Sequence, residues 1–255
     1  MHAASSLSAV TPVSTPGWML DVLDDVPSTN PVAGRLPAWH AVRAETQTAG
    51  RGRTGRHWVS DAGGLWLSAV LPCPGSRSRW NILPLAAGYA VLTALTEFGV
   101  TDLRLRWPND LMTGRRKLAG LLVERFTDTT AVVGLGLNIF NHPAAADPSL
   151  TTPTARLADL VPGDYTVDDV AGHVLRALTR THTALLADGF GPIAAALNRT
   201  WSEPRLVAVT LNGDRPSFTG HFQGIDDAGR LRLVTDGDGV RLYDATEVSL
   251  LRELE

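Results

Sequence analysis

The chain almost lacks lysine. Of its 23 fixed basic residues, Lys117 alone is a lysine and all the others are arginines. A guanidinium is a planar fork of donors, whereas an ammonium is a compact charge that turns freely on a flexible stem. A general preference for arginine accounts for the other positions and leaves Lys117 as the exception. Cysteine is as scarce, and the single Cys73 excludes an internal disulfide framework and fits a cytoplasmic protein. No apolar run is long enough for a membrane span. The most apolar stretch, residues 82–95, is broken by Pro84, Gly88, Tyr89 and Thr93 and falls short of the roughly 20 residues a spanning helix needs. The seven histidines are scattered without metal-ligand spacing, so no structural metal is expected. The net charge of −3 supplies no global attraction to nucleic acid or membrane, so an anion site must come from local clustering of arginine.

What remains is an ordinary globular composition, 44% hydrophobic and 19% charged, in a chain long enough for one sizeable domain with an appendage. Residues 1–17, rich in Ala, Ser, Thr and Pro, read as a loose leader without the basic and apolar parts of a signal peptide. Alternation predicts strands over 18–26, 39–46, 65–71, 103–107, 117–124 and 131–139, and apolar residues at helical spacing predict helices over 82–95, 167–178 and 193–201. Ser28 can cap a short helix after Pro27. From Arg205 onward short alternating strands separated by Gly- and Asp-rich turns predict a small β-barrel. The expected architecture is α+β, a mixed and largely antiparallel sheet flanked by helices over 18–203, with a C-terminal barrel over 204–255 and a linker near Glu203-Pro204.

The most distinctive local feature is Gly50-Arg51-Gly52-Arg53-Thr54-Gly55-Arg56, three guanidiniums on a backbone that glycine leaves free to fold closely round a ligand. Guanidinium forks match phosphate and carboxylate geometry. A solvated basic loop and an RNA-binding segment are the alternatives, and the latter would be supported by further repeats and interleaved aromatics, which are missing.

Taken in order, Ser28-Thr29-Asn30, Gln47 with the arginine loop, Arg106-Trp107-Pro108-Asn109-Asp110, Arg116-Lys117-Leu118-Ala119-Gly120 and Gly134-Leu135-Gly136-Leu137-Asn138 resemble the motifs of a biotin protein ligase. Each motif alone is weak, and their shared order is specific over about residues 18 to 140. Glu247-Val248-Ser249 extends the resemblance thinly into the tail. The resemblance implies a fold of the class II aminoacyl-tRNA synthetase and biotin-lipoyl ligase type. It also implies an activity: biotin and ATP give biotinyl-5'-AMP and pyrophosphate, and the biotinyl group then passes to one lysine of a biotin carboxyl carrier protein of acetyl-CoA carboxylase or a similar carboxylase. Mg²⁺ is implied on the ATP oxygens.

The resemblance likewise implies the site. Lys117 and Arg53 would be catalytic. Ser28, Thr29, Asn30 and Gln47 would bind the ureido head of biotin, with Arg51, Gly52, Arg53, Lys117, Gly120 and Gly136 completing its pocket. Arg51, Arg53, Arg56, Trp58, Asn109, Asp110, Lys117 and Asn138 would bind ATP or the adenylate. Arg106 stands where the family usually has lysine, keeping charge but changing hydrogen-bond geometry. The Ser28 motif comes too early for a preceding winged helix, so a monofunctional ligase without DNA binding is expected, as a monomer or weak homodimer. A lipoate or octanoate ligase of the same fold and a non-catalytic nucleotide- or RNA-binding module are the rival readings. Because a reactive adenylate acylates nearby amines, a ligase almost free of lysine would also offer itself few targets.

Overall fold

A computed structural model describes residues 13–15, 17–201, 205–213, 217–235 and 239–254. Two sheets carry the architecture, one of eight strands and one of five. Strand β1 (Val13–Thr15), inside the segment read as a leader, lies antiparallel to β2 (Trp18–Val26). Apolar side chains at Trp18, Leu20, Val22 and Val26 turn β2 into the core. Pro27 then breaks the strand, and α1 (Thr29–Ala33) follows. The remaining strands of the large sheet are β3 (His40–Gln47), β4 (Leu65–Pro72), β5 (Arg104–Arg106), β6 (Asp110–Thr113), β7 (Arg116–Glu124) and β8 (Thr130–Leu137), with α2 (Leu83–Glu97) between β4 and β5. Their order is β1-β2-β3-β4-β8-β7-β6-β5, and β2 with β3 is the one parallel pair among the described residues.

Alternation along β8 separates the two faces. Val133, Leu135 and Leu137 point into the main core with α2, while Val132 packs on the other side with Ala33, Val42 and Val70 under α1. Burying a leucine such as Leu137 contributes roughly 1.5–3 kcal/mol. After the short helix α3 (Pro143–Ala146), helix α4 (Val167–Asp188) closes the core face against α2. It opens with a capping box, in which the Thr166 hydroxyl accepts from the Asp169 amide at 3.1 Å and the Asp169 carboxylate from the Thr166 amide at 2.8 Å. Helix α5 (Gly191–Thr200) leads to the small sheet of β9 (Arg205–Leu211), β10 (Phe218–Ile225), β11 (Leu231–Thr235), β12 (Gly239–Tyr243) and β13 (Val248–Glu253).

That small sheet corrects the expected barrel. Its order is β12-β11-β10-β9-β13, all antiparallel, and the outer strands β12 and β13 do not pair among the described residues. The sheet stays open because β12 is short and solvent-exposed, with Val240 52% exposed, while β13 turns toward the large sheet. The linker position Glu203-Pro204 lies outside the described residues, as do parts of the Gly- and Asp-rich turns. Between the sheets the apolar core is continuous, with Phe222, Ile225 and Leu231 in one cluster with Leu85 and Leu105. The Trp107 indole donates to the Gly229 carbonyl at 3.1 Å and the Trp201 indole to Leu105 at 2.7 Å. Arg104 grips Glu253 through both its terminal nitrogens.

Candidate active site

A cavity of about 450 Å³ opens on the face of the large sheet away from α2 and α4, and all of the sequence-predicted site residues line it. Its floor is β7 and β8, where Gly120 pairs with Gly136 and Leu122 with Gly134. Glycine is required there by what lies above. A Cβ on Gly136 would stand 2.4 Å from the Trp58 indole nitrogen, and one on Gly134 would stand 2.3 Å from the Asn30 amide oxygen. Asn30 therefore sits over Gly134 and Trp58 over Gly136, two residues along the same face and about 7 Å apart by strand geometry.

One end of the cavity is polar and uncharged. The Asn30 amide group donates to Glu124 at 2.7 Å and to the Leu122 carbonyl at 3.3 Å, and its oxygen lies 2.6 Å from the Ser68 hydroxyl. Gln47 accepts from the Thr29 amide at 2.9 Å and donates to Ser60 at 2.9 Å. Ser28 occupies the N-cap position without a side-chain bond: the third helical residue is Pro31, which has no amide proton to offer, and the first helical amide, Thr29, is satisfied by Gln47. The Ser28 hydroxyl is left on the cavity wall.

The other end is cationic. Lys117 Nζ lies 2.7 Å from Asp110 Oδ1 and 4.9 Å above the Trp58 ring, and Arg106 Nη2 lies 2.6 Å from the second Asp110 oxygen. Burial alone pushes the Asp110 carboxyl up, but the charges of Lys117 and Arg106 outweigh it and hold the group below the usual carboxylate range. Asp110 opens β6 opposite Gly120, so the sheet register brings it to Lys117. Arg53 donates to the carbonyls of Ala245 and, at 2.9 Å, Val248, and Arg56 to Ser249 at 3.2 Å. The arginine loop is thus fastened to the small sheet. Burial lowers the Arg53 guanidinium below its ordinary range, with Asp110 opposing.

The amides of Asn109 and Asn138 are tied to the backbone, Asn109 to Leu121 at 2.6 Å and Asn138 to Ala155 at 3.2 Å. Both still border the cavity. The sequence reading missed a second strip of wall. Leu150, Thr151, Thr152 and Thr154 line the cavity because the segment is stitched to Lys117, whose amide donates to Pro153 at 2.7 Å and whose carbonyl accepts from Ala155 at 2.9 Å. Ser249, Leu250, Leu251 and Arg252 add a wall from β13. Among the described residues no three His, Cys, Asp or Glu side chains converge to hold a metal. Among the described residues Asp110 is the only carboxylate on the cavity wall, and both its oxygens are engaged.

Comparison with known proteins places this arrangement. Residues 34–138 match the model of the biotin/lipoate A/B protein ligase family, and residues 206–251 match that of the biotin protein ligase C-terminal domain. The biotin–[acetyl-CoA-carboxylase] ligase of Mycobacterium tuberculosis is 33% identical over 253 residues, covering 92% of this chain and 91% of that protein. The chain belongs to the biotin protein ligase family. Among solved structures, biotin protein ligase from Aquifex aeolicus in complex with biotin and ATP superposes with a TM-score of 0.80 at 26% identity, covering 92% of this chain and 99% of the other. The bifunctional ligase/repressor of Bacillus subtilis is 29% identical over 220 residues, and the match spans 82% of this chain and 66% of that protein. As a biotin protein ligase fold, the chain has its cavity between the two regions that the family models match. Among the described residues no helix is long and apolar enough to cross a membrane.

Proposed function

We propose that this chain activates biotin with ATP to biotinyl-5'-AMP, releasing pyrophosphate, and transfers the biotinyl group to one lysine of a carboxylase carrier domain. The observation that carries the reading is the cavity's polarity: neutral hydrogen-bonding groups at the Asn30 end, an indole over paired glycines in the middle, and Lys117 among arginines at the far end. Biotin has the same sequence of parts, a ureido head, an apolar body and a carboxylate. Ser28, Thr29, Asn30 and Gln47 bind the head, Trp58, Gly120 and Gly136 the body, and Lys117 meets the carboxylate.

The chemical obstacle is repulsion between that carboxylate and the triphosphate. Arg51, Arg53 and Arg56 supply fixed counter-charge from the loop, and Lys117 supplies a mobile charge that follows the negative charge from carboxylate to α-phosphate as the bond forms. Mg²⁺ bound with the triphosphate would supply further neutralisation. Asn109, Asp110 and Asn138 shape the adenylate end, Asp110 by fixing Lys117 and Arg106. Loop closure against the small sheet excludes water from the anhydride. The test is pyrophosphate release with biotin, lipoate or octanoate. Release with biotin alone is expected, and release with lipoate or octanoate in its place contradicts the assignment. The same reading makes a carrier domain the macromolecular partner.

A further inference from the structure

Lys117 is the only side-chain amine in the chain, and it stands in a cavity which, on the proposed function, holds an acyl phosphate that amines attack. That creates a hazard. The carrier's lysine must arrive by diffusion, whereas Lys117 is already in place, and well-oriented groups in one site react as if at an effective concentration of about 10⁵ M or more. Attack would form an N–C bond between Nζ and the biotinyl carbonyl carbon and break the bond from that carbon to the phosphate oxygen. AMP would leave with the electron pair, and the proton would pass to water. The product is a neutral amide where the site needs a cation, and the enzyme is spent.

We propose that Asp110 guards Lys117 against acylation by the adenylate, engaging Nζ in a charge-assisted contact that keeps the nitrogen from attacking the acyl carbon. Three observations converge on this role. The Asp110 carboxylate contacts Nζ at 2.7 Å and has only 16% of its side chain exposed, so solvent screens the pair weakly. The Trp58 ring lies 4.9 Å from Nζ, and an aromatic face favours a cation over a neutral amine. Among the described residues the other fixed charges on the cavity wall are all arginines: Arg51, Arg53, Arg56, Arg106 and Arg252. Without Asp110 the ammonium would face this array with no counter-anion to hold it away from the acyl carbon. Arginines at the other positions carry no such risk, because a guanidinium keeps its proton. Lysine is confined to the one place where mobility is needed, and there it has an anion, which it shares with Arg106.

The test supplies preformed biotinyl-5'-AMP without ATP or carrier, so that it does not depend on the adenylation step. Binding is measured by calorimetry and acylation by intact mass and tryptic mapping. With one lysine in the chain, an adduct is assigned unambiguously to Lys117 or to the α-amine. The wild-type chain should bind the adenylate and leave Lys117 unmodified. Asp110→Asn should acylate Lys117 about tenfold or more faster, the scale expected on removing one close opposite charge. Asp110→Glu should restore protection, and Asp110→Asn combined with Lys117→Arg should show no side-chain adduct. An Asp110→Asn variant that binds the adenylate and leaves Lys117 intact overturns the proposal. A second reading needs no adenylate: N-acetylimidazole should acetylate Lys117 of Asp110→Asn about tenfold or more faster than Lys117 of the wild-type chain, and equal rates overturn the proposal. A wild-type chain that binds no biotinyl-5'-AMP sinks the functional reading, and this inference with it.

Discussion

Adding one methyl group at Gly134 should damage the biotin end of the cavity and spare the ATP end. A Cβ there would stand 2.3 Å from Asn30 Oδ1 and 2.9 Å from both Cγ and Nδ2. Ordinary contact begins near 3.4 Å, so the Asn30 amide must retreat by about 1 Å. It has little freedom to do so, being 4% exposed and held by Ser68, Glu124 and the Leu122 carbonyl. Overpacking of this kind costs about 1–3 kcal/mol, and a stretched bond to Ser68 adds about 1 kcal/mol. The reduced entropy of the unfolded alanine chain returns about 0.4–1 kcal/mol. Gly134→Ala should therefore lose about 2 kcal/mol, which in a chain of this size lowers Tm by roughly 4–8 °C. Displacing a substrate-positioning group by about 1 Å should also raise the KM for biotin about tenfold or more. The KM for ATP should stay within about twofold, a change too small to signal a lost contact. The assay is calorimetric melting paired with pyrophosphate release at varied biotin and at varied ATP. An unchanged Tm and biotin KM would refute the packing argument, and a lower Tm with unchanged biotin KM would show that Asn30 is structural and does not contact biotin.

Three other perturbations follow from the same coordinates. Lys117→Arg keeps the charge and removes the freely turning ammonium, so adenylation should slow by about tenfold or more, at least about 1.4 kcal/mol of transition-state stabilisation, and wild-type rates in stopped-flow assays would contradict the mobile-cation role. His182, 2% exposed, donates from Nε2 to the Pro72 carbonyl at 2.8 Å and has no partner at buried Nδ1, and burial lowers its pKa. Burial makes the folded His182 take up a proton less readily than the unfolded chain does, so stability falls as pH drops below about 6.5. His182→Phe should flatten that slope in denaturant titrations, and an unchanged slope would contradict the assignment. Glu253→Gln weakens the paired contact to Arg104 that ties β13 to β5, and should cost about 1–2 kcal/mol, read as a lower Tm and faster hydrogen exchange in the small sheet.

The sequence made the site legible where chemistry and spacing coincide. The arginine loop, Lys117 and the glycine-bearing strand could be marked because charge in an apolar context and glycine in a strand have few uses. Strands such as β4 and helices such as α4 were legible from periodicity. The remainder depended on contacts between distant segments. Thr151, Thr152 and Thr154 carry no spacing signal and reach the cavity only because residues 153–155 bond to the Lys117 backbone. Asp110 reads locally as a turn aspartate after Pro108-Asn109, and only the pairing of β6 with β7 brings it to Lys117. Ser28 stands at the N-cap of α1, but Pro31 at the third helical position removes an amide that a cap would bond, and the Thr29 amide turns to Gln47, 18 residues away. The small sheet reads as a barrel because alternation gives strand faces and says nothing of closure.

The central claim is that one cavity activates biotin and delivers it to a carrier. It is tested most directly by incubating the chain with biotin, ATP, Mg²⁺ and a purified biotin carboxyl carrier domain, and weighing the carrier by mass spectrometry. The account predicts one biotinyl group on a single carrier lysine, dependent on ATP and lost or strongly slowed in Lys117→Arg. A carrier that gains no biotin, or gains it equally well without ATP, would contradict the account.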